Sequence, residues 1–402
     1  MIDFNDIAKA RENLGGFVDL TPLEFSYVLS REVGREVYLK FENLQRTGSF
    51  KIRGAFNKIA NLEKDELRRG VIAASAGNHA QGVAYAAGMM GIRATVVMPE
   101  GTPLMKVVST RRYGAWVVLR GETYDDAYRY ALELQRGADL TFIHAFDDPL
   151  VIAGQGTIGL ELMEQLPDLS TVVVPVGGGG LISGIAIAVK NINPKVRVIG
   201  VQAENAKSMK LSLSEGELFE VDSAHTIADG IAVKRAGEVT FPIVKSLVDD
   251  IVTVEEEEIA SAILMFIEKA KTVVEGAGAT TLAALLYDKV RLKSGKFVLI
   301  LSGGNIDVNM ISRVIDKGLV KTGRLARISV MLPDRPGSLN SFTELLAQSG
   351  VNILNVSHNR AFSGVPIGEA EVRFSLELRG CDHRDELLRF LRNHGHKVEL
   401  LD

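Results

Sequence analysis

Short apolar runs recur between residues 37 and 315, each followed by a stretch whose apolar residues fall at helical spacing. Val71–Ala74 precedes a helical pattern over 79–90, Ala94–Met98 precedes one over 103–113, and Trp116–Leu119 precedes one over 123–136. Runs at 171–176, 196–201, 251–254 and 297–301 continue the series. Continuous β-branched runs separated by helices are the mark of parallel strands covered on both faces. The pattern predicts an α/β architecture in two lobes, because the strands outnumber one comfortable sheet. Beyond a short basic linker, Lys321-Thr322-Gly323-Arg324, the texture changes. A strand at 327–332 leads through Pro-Asp-Arg-Pro-Gly-Ser into a helix ending near Gln348. A strand at 351–356, an alternating strand at 369–378, a helix at 384–393 and a last strand at 397–401 follow. That order, βαββαβ, is the ferredoxin-like plan, and the alternation predicts a sheet open to water on one face.

Composition narrows the class. The 402 residues, 46% of them hydrophobic, exceed one ordinary domain and can bury a sizeable core. A net charge of −4 gives no electrostatic reason to expect nucleic acid or an acidic membrane as partner. Cys381 is the single cysteine, so no internal disulfide forms and a reducing compartment is the simple reading. The N-terminus is polar, without an apolar run leading to a cleavage site. The longest apolar stretch, 181–189, is too short to span a bilayer and contains Gly184. These features predict a soluble, cytoplasmic protein.

The 39 glycines matter through their positions. Three strands end in glycine-containing turns that open helices: Ser75-Ala76-Gly77-Asn78, Gly177-Gly178-Gly179-Gly180-Leu181, and Ser302-Gly303-Gly304-Asn305. In doubly wound sheets, ligands bind beyond the carboxyl ends of the strands. Bare amides at a helix start form an anion site, and four glycines remove every side chain that would block it. Taken alone, the run also fits a ligand-free tight turn. Nucleotide motifs fit less well: no GxxxxGK[ST] occurs, and Leu181 and Ser183 break the GxGxxG spacing. A small phosphorylated cofactor suits the turn better than a dinucleotide. Lys51 lies between Phe50 and Ile52, near a helix start, with Arg53 adjacent. Desolvation and a like charge both lower an amine's pKa, as a Schiff-base lysine requires, whereas a lysine snorkelling past the core edge is the structural alternative.

Five ordered motifs, SFKIRGA, SAGNHAQG, VGGGGL, EGAGA and LSGGN, resemble those of the fold-type II pyridoxal-phosphate enzymes, most closely the threonine/serine dehydratases (threonine ammonia-lyases). The resemblance covers residues 20–320, and the tail, at Leu332-Pro333-Asp334-Arg335-Pro336-Gly337-Ser338-Leu339, resembles an ACT domain. It implies a catalytic region over 1–320, with a small lobe near 45–148 inserted in a large lobe like that of tryptophan synthase β. A linker at 321–324 and an α+β regulatory domain over 325–402 complete the plan. The resemblance further implies that Lys51 carries pyridoxal 5′-phosphate as a Schiff base and takes the substrate Cα proton. Phe50 would pack on the ring and Asn78 would meet its 3′ oxygen. Gly177, Gly178, Gly179, Gly180 and Leu181 would cradle the phosphate, and Ser302 would meet the pyridine nitrogen. Ser75, with Ala76, Gly77, Asn78 and His79 around it, would hold the substrate carboxylate. The implied reaction is loss of water from L-threonine or L-serine, giving 2-oxobutanoate or pyruvate and ammonia.

Related serine racemases carry a second serine where this chain has Ala76, so little racemisation is expected. Such relatives hold a divalent metal near a residue like Glu204; Lys210 occupies one ligand's place here, and no metal is expected. His79 reads as a capping residue more readily than as a general base, and Glu275 either sits at the ring edge or serves only a helix terminus. Residues Asp334, Arg335, Pro336, Gly337, Ser338 and Leu339 form either a plain turn or a carboxylate site for an amino-acid effector such as isoleucine or valine. His358, Asn355 and Asn359 lie on a nearby strand. A homodimer or homotetramer is expected by resemblance. A serine-preferring dehydratase, an amino-acid racemase, threonine synthase and a non-catalytic amino-acid sensor are the other readings.

Overall fold

In the computed structural model, which describes residues 2–291, 294–360 and 365–401, the strand runs of the first 306 residues collect into two sheets. The larger has six strands in the order Leu23–Phe25, Glu36–Lys40, Lys296–Ile300, Thr171–Pro175, Arg197–Ala203, Asp250–Val254. Its first pair is antiparallel and every other pair is parallel. The smaller sheet is wholly parallel, in the order Trp116–Leu119, Ala94–Met98, Val71–Ala74, Thr141–Phe142. Every residue of Val71–Ala74 and of Thr171–Pro175 is buried, which is why these strands read as unbroken apolar runs. The two-lobed α/β arrangement expected from the pattern is present.

Each sheet has its own core. In the large lobe Val172, Val174, Val198 and Val298 pack against Ile182, Ile185 and Val189 of helix Gly180–Ile192. In the small lobe Val71, Val96 and Met98 pack against Ile59, Ala80 and Val83. Helix Pro149–Gln165 has no apolar stripe and was not singled out by periodicity. It is buried over most of its circumference, packed against Phe4–Leu14, Lys51–Ala60 and Gly180–Ile192, and a helix buried all round carries no stripe. Glycines permit the close approach: a Cβ on Gly154 would lie 2.5 Å from the Arg53 carbonyl, and one on Gly184 would overlap the Ile152 carbonyl. This packing seats the helix that begins at Lys51.

Residues from Asp307 onward form a second compact unit. Its sheet runs Asn352–Asn359, Glu369–Glu377, Leu325–Pro333, Val398–Leu400, antiparallel throughout, with helices Ser338–Gln348 and Cys381–Asn393. Ile328, Val330, Phe342, Leu346, Val372, Phe374, Leu387 and Leu391 form its core. Glu369–Glu377 alternates buried and exposed positions, as its sequence does. Helix Val308–Lys321, placed with the catalytic region by the sequence reading, groups with this unit, and only Val314 on it is fully buried.

Candidate active site

The three glycine turns meet in one cleft at strand ends. Strand Lys296–Ile300 runs into Leu301 and Ser302, strand Thr171–Pro175 into Gly177–Leu181, and strand Val71–Ala74 into Ser75–Asn78. The stretch before Lys51 is stitched to the first of these: Ser49 bridges Gly303, the Phe50 N–H donates to the Ser302 carbonyl at 3.1 Å, and Gly304 N–H donates to the Gly48 carbonyl at 2.9 Å. Phe50, Lys51, Asn78, Gly177, Gly178, Gly179, Gly180, Leu181 and Ser302 all line the cleft. Ser75, Ala76 and Gly77 form the half-buried turn before helix Asn78–Met89 and stand outside that lining, as does His79. Ser75 Oγ accepts the Gly77 N–H at 3.2 Å.

Lys51 is the first residue of helix Lys51–Ala60. Its Nζ donates to the Ala145 carbonyl at 3.0 Å and stands 5.1 Å from the centre of the Phe50 ring. Burial pushes the amine down to about 8, against an opposing pull from Glu275. Arg53 contributes nothing to that shift, contrary to the sequence expectation. Its guanidinium is fully buried and spent on carboxylates: Nε and Nη2 donate to Glu42 at 2.9 and 2.8 Å, and Nη1 to Glu161 at 2.5 Å. Lys40 Nζ donates to Glu161 at 2.5 Å and Thr21 Oγ1 to Glu42 at 2.6 Å, so two cations and two anions balance.

The glycine turn presents open donors. The N–H groups of Gly177 to Leu181 make no hydrogen bond to another protein atom among the described residues. Gly179 has φ +99°, a left-handed value that glycine adopts freely. The Phe146 ring lies so close that a Cβ on Gly178 would overlap it. With the dipole of helix Gly180–Ile192 behind them, these amides form an anion cradle.

Asn78 is held from both sides. Its Nδ2 donates to both Glu275 carboxylate oxygens, at 2.8 and 2.9 Å, and its Oδ1 accepts Asn305 Nδ2 at 2.8 Å. Glu275, the N-cap of helix Gly276–Leu286, lines the cleft. Burial pushes its carboxyl up to about 7, aided by the charge of Asp229. Glu275 thus stands both at a helix terminus and on the cleft wall. His79 is pushed down to about 3, chiefly by burial, and its Nε2 lies 2.7 Å from the Ile143 carbonyl, so the neutral ring donates there and anchors the helix start. Among the described residues the Ser302 hydroxyl has no protein partner.

Other cleft residues were not legible. Phe146, Ile231 and Val233 line it, yet no spacing ties them to the glycine turns. Glu204 pairs with Lys207, while Lys210 Nζ lies 3.4 Å from Thr253 Oγ1. In the second unit Asp334, Arg335, Pro336, Gly337, Ser338 and Leu339 surround a pocket with His358 and Arg360, and Arg360 pairs with Asp334 at 3.1 Å. Asn355 and Asn359 do not line that pocket.

A family model described as pyridoxal-phosphate dependent enzyme matches residues 16–303, and the ACT domain model matches 326–393. An L-threonine ammonia-lyase of Thermotoga maritima is 54% identical over the full length of both chains. The structure of the processed form of threonine deaminase isoform 2 from Solanum lycopersicum matches with a TM-score of 0.74 at 42% identity, over 78% of this chain and 86% of that one. The structure of maize serine racemase matches with a TM-score of 0.75 at 36% identity, over 80% and 98%. Among the described residues no helix is long and apolar enough to cross a membrane.

Proposed function

Because the chain belongs to the pyridoxal-phosphate dependent enzyme family, we propose that it removes water from L-threonine, and from L-serine, to give 2-oxobutanoate or pyruvate and ammonia. The observation that carries this reading is a buried amine, Lys51, facing a turn of unsatisfied backbone amides in a chain matched end to end by an L-threonine ammonia-lyase.

The residues present fit the cofactor. Lys51 offers a nucleophilic nitrogen for its aldehyde, Gly177–Leu181 offer five N–H donors for its phosphate, and Phe50 offers an apolar wall for its ring. When bound, pyridoxal phosphate supplies an electron sink that acidifies the Cα–H of an amino acid. Lys51 Nζ takes that proton; its low pKa leaves a substantial neutral fraction near pH 8. Asn78, clamped by Glu275 and Asn305 on the cleft wall, is the residue that would lie at the ring oxygen. The Ser302 hydroxyl, which lines the cleft, is the group that would meet the pyridine nitrogen, and because it carries no charge to hold that nitrogen protonated it would favour loss of the β-hydroxyl over transamination. The Ala76 and Asn78 N–H groups, which have no protein acceptor among the described residues, would receive the substrate carboxylate. Once the Cα–H and Cβ–O bonds have broken, and the hydroxyl has left as water with a proton that balances the one removed from Cα, the released enamine tautomerises to an imine, and water hydrolyses it to the keto acid and ammonia.

A racemase reading has the structural likeness to maize serine racemase in its favour. Ala76, which has no hydroxyl to work the opposite face, weighs against it. Residues 1–320 carry the chemistry and 325–402 the regulation, with isoleucine or valine taken at the pocket of Asp334–Leu339. The enzyme works in the cytoplasm as a homodimer or homotetramer. The test is product analysis: L-threonine should yield 2-oxobutanoate in stoichiometry with ammonia, whereas D-allothreonine, its Cα epimer, without keto acid would overturn the lyase reading.

A further inference from the structure

Residues 143–148 join strand Thr141–Phe142 to helix Pro149–Gln165, and the carboxylate among them that faces the glycine turn's support is Asp147. One of its oxygens accepts the Val239 and Thr240 N–H groups at 2.8 and 3.3 Å, and the other accepts the Glu238 N–H at 2.9 Å. These amides open helix Thr240–Leu247, whose N-cap residue, Val239, supplies no side-chain cap. Asp147 is thus the acceptor that fixes this helix end. Both its oxygens are occupied, and a Cβ on Gly237 would overlap one of them, so the carboxylate is packed in.

What it fixes reaches the cleft. Thr240 is fully buried, and its Oγ1 donates to the Gly178 carbonyl at 2.6 Å. The Gly237 N–H donates to the same carbonyl at 3.2 Å. Two donors from one segment therefore hold that oxygen from outside the cleft. In a trans peptide the carbonyl and the following N–H point in opposite directions. Pinning Gly178 C=O toward Thr240 turns the Gly179 N–H the other way, where it has no protein partner. Glycine by itself would let this peptide rotate.

We propose that Asp147 is a positioning residue for the anion cradle: through Thr240 and Gly237 it sets the Gly178–Gly179 peptide so that its N–H meets the cofactor phosphate. This rests on the reading of Gly177–Leu181 as the phosphate site. Asp147 touches neither the cofactor nor the substrate, and its effect is confined to ligands that carry a phosphate.

The experiment strips the full-length protein of cofactor and titrates it with pyridoxal phosphate and with pyridoxal, which lacks the phosphate, following visible absorbance of the Lys51 adduct. Removing the acceptor in Asp147→Ala should weaken pyridoxal phosphate by roughly tenfold to a hundredfold, the scale of stranding amides that one acceptor satisfied. Pyridoxal should bind as it does to the unaltered protein. Asp147→Asn, which keeps one acceptor oxygen, should recover part of the loss. Thr240→Val, which removes one of the two pins, should show the same phosphate-selective loss, and the double variant should lose less than the product of the two. If Asp147→Ala does not fold, Thr240→Val alone decides. Equal losses for both aldehydes, or no loss for either, would overturn the positioning role. Equal affinity of the unaltered protein for both would instead overturn the phosphate cradle.

Discussion

Replacing Arg53 by methionine isolates the cost of a buried charge two residues from the reactive lysine. Arg53 and the Glu42 side chain have no solvent exposure, and Glu161 has little. The substitution removes every guanidinium contact at once and leaves two carboxylates facing the single ammonium of Lys40. Breaking a buried pair by deleting one partner costs about 3–5 kcal/mol, because the stranded charge stays desolvated. For a unit this large that corresponds to a fall in melting temperature on the order of 10 °C. The pH dependence gives the sharper signature. Burial pushes the Glu42 carboxyl up, but the charge and hydrogen bonds of Arg53, with Lys40, carry it below the ordinary carboxylate value. In the unaltered protein that contribution is complete above the ordinary carboxylate range and fades as pH falls through the lowered value. In the variant burial acts with little opposition and the carboxyl is raised, so its penalty is present at neutral pH and relieved by acid. Melting curves of both proteins from about pH 8 down to about pH 5 should therefore converge. A variant as stable as the parent at neutral pH, or a gap that widens on acidification, would refute the reasoning. Arg53→Lys should fall between the two, because an ammonium cannot reproduce the fork that spans both carboxylates.

Ser302→Asp should cut keto-acid release by more than about tenfold while cofactor affinity stays within a small factor, since it changes the charge at the pyridine nitrogen and not the phosphate grip; unchanged turnover would discard that assignment. Glu275→Gln removes the one charge that supports the Lys51 ammonium, so the pH at which the stripped protein recaptures cofactor half-maximally should move down from about 8; an upward move would contradict the electrostatics. Truncation after Val320, the end of the proposed catalytic region, should leave the chemistry running and abolish any response to isoleucine or valine, read as keto-acid rate against effector concentration. A truncated enzyme that still responds would move the effector site elsewhere.

Much of the fold was legible because buried parallel strands leave unbroken apolar runs: Val71–Ala74, Ala94–Met98 and Trp116–Leu119 were bounded correctly. Glu36–Lys40 was not read as a strand, because it interleaves charge with apolar residues. Its Lys40 is nevertheless fully buried, and the partner that makes this tolerable, Glu161, lies 121 positions away. Helix Pro149–Gln165 hid for the opposite reason, having no polar face to define its period. At the site, the legible part was what backbone geometry demands: glycines where amides must lie bare, and a lysine in apolar company. Phe146 and Asp147 were illegible because a loop residue acquires its role only when the 144–148 turn is laid against Gly178 and the 237–240 segment. Arg53 was misread because adjacency in sequence suggested a charge acting on Lys51, while folding spends that charge on two carboxylates from distant segments.

The most direct measurement concerns Lys51. The purified chain, loaded with pyridoxal phosphate and given L-threonine, should absorb in the visible range and release 2-oxobutanoate with equimolar ammonia, and Lys51→Ala should lose both the absorbance and the turnover. A colourless protein in the presence of cofactor, or an alanine variant that keeps the absorbance and the product, would contradict the account.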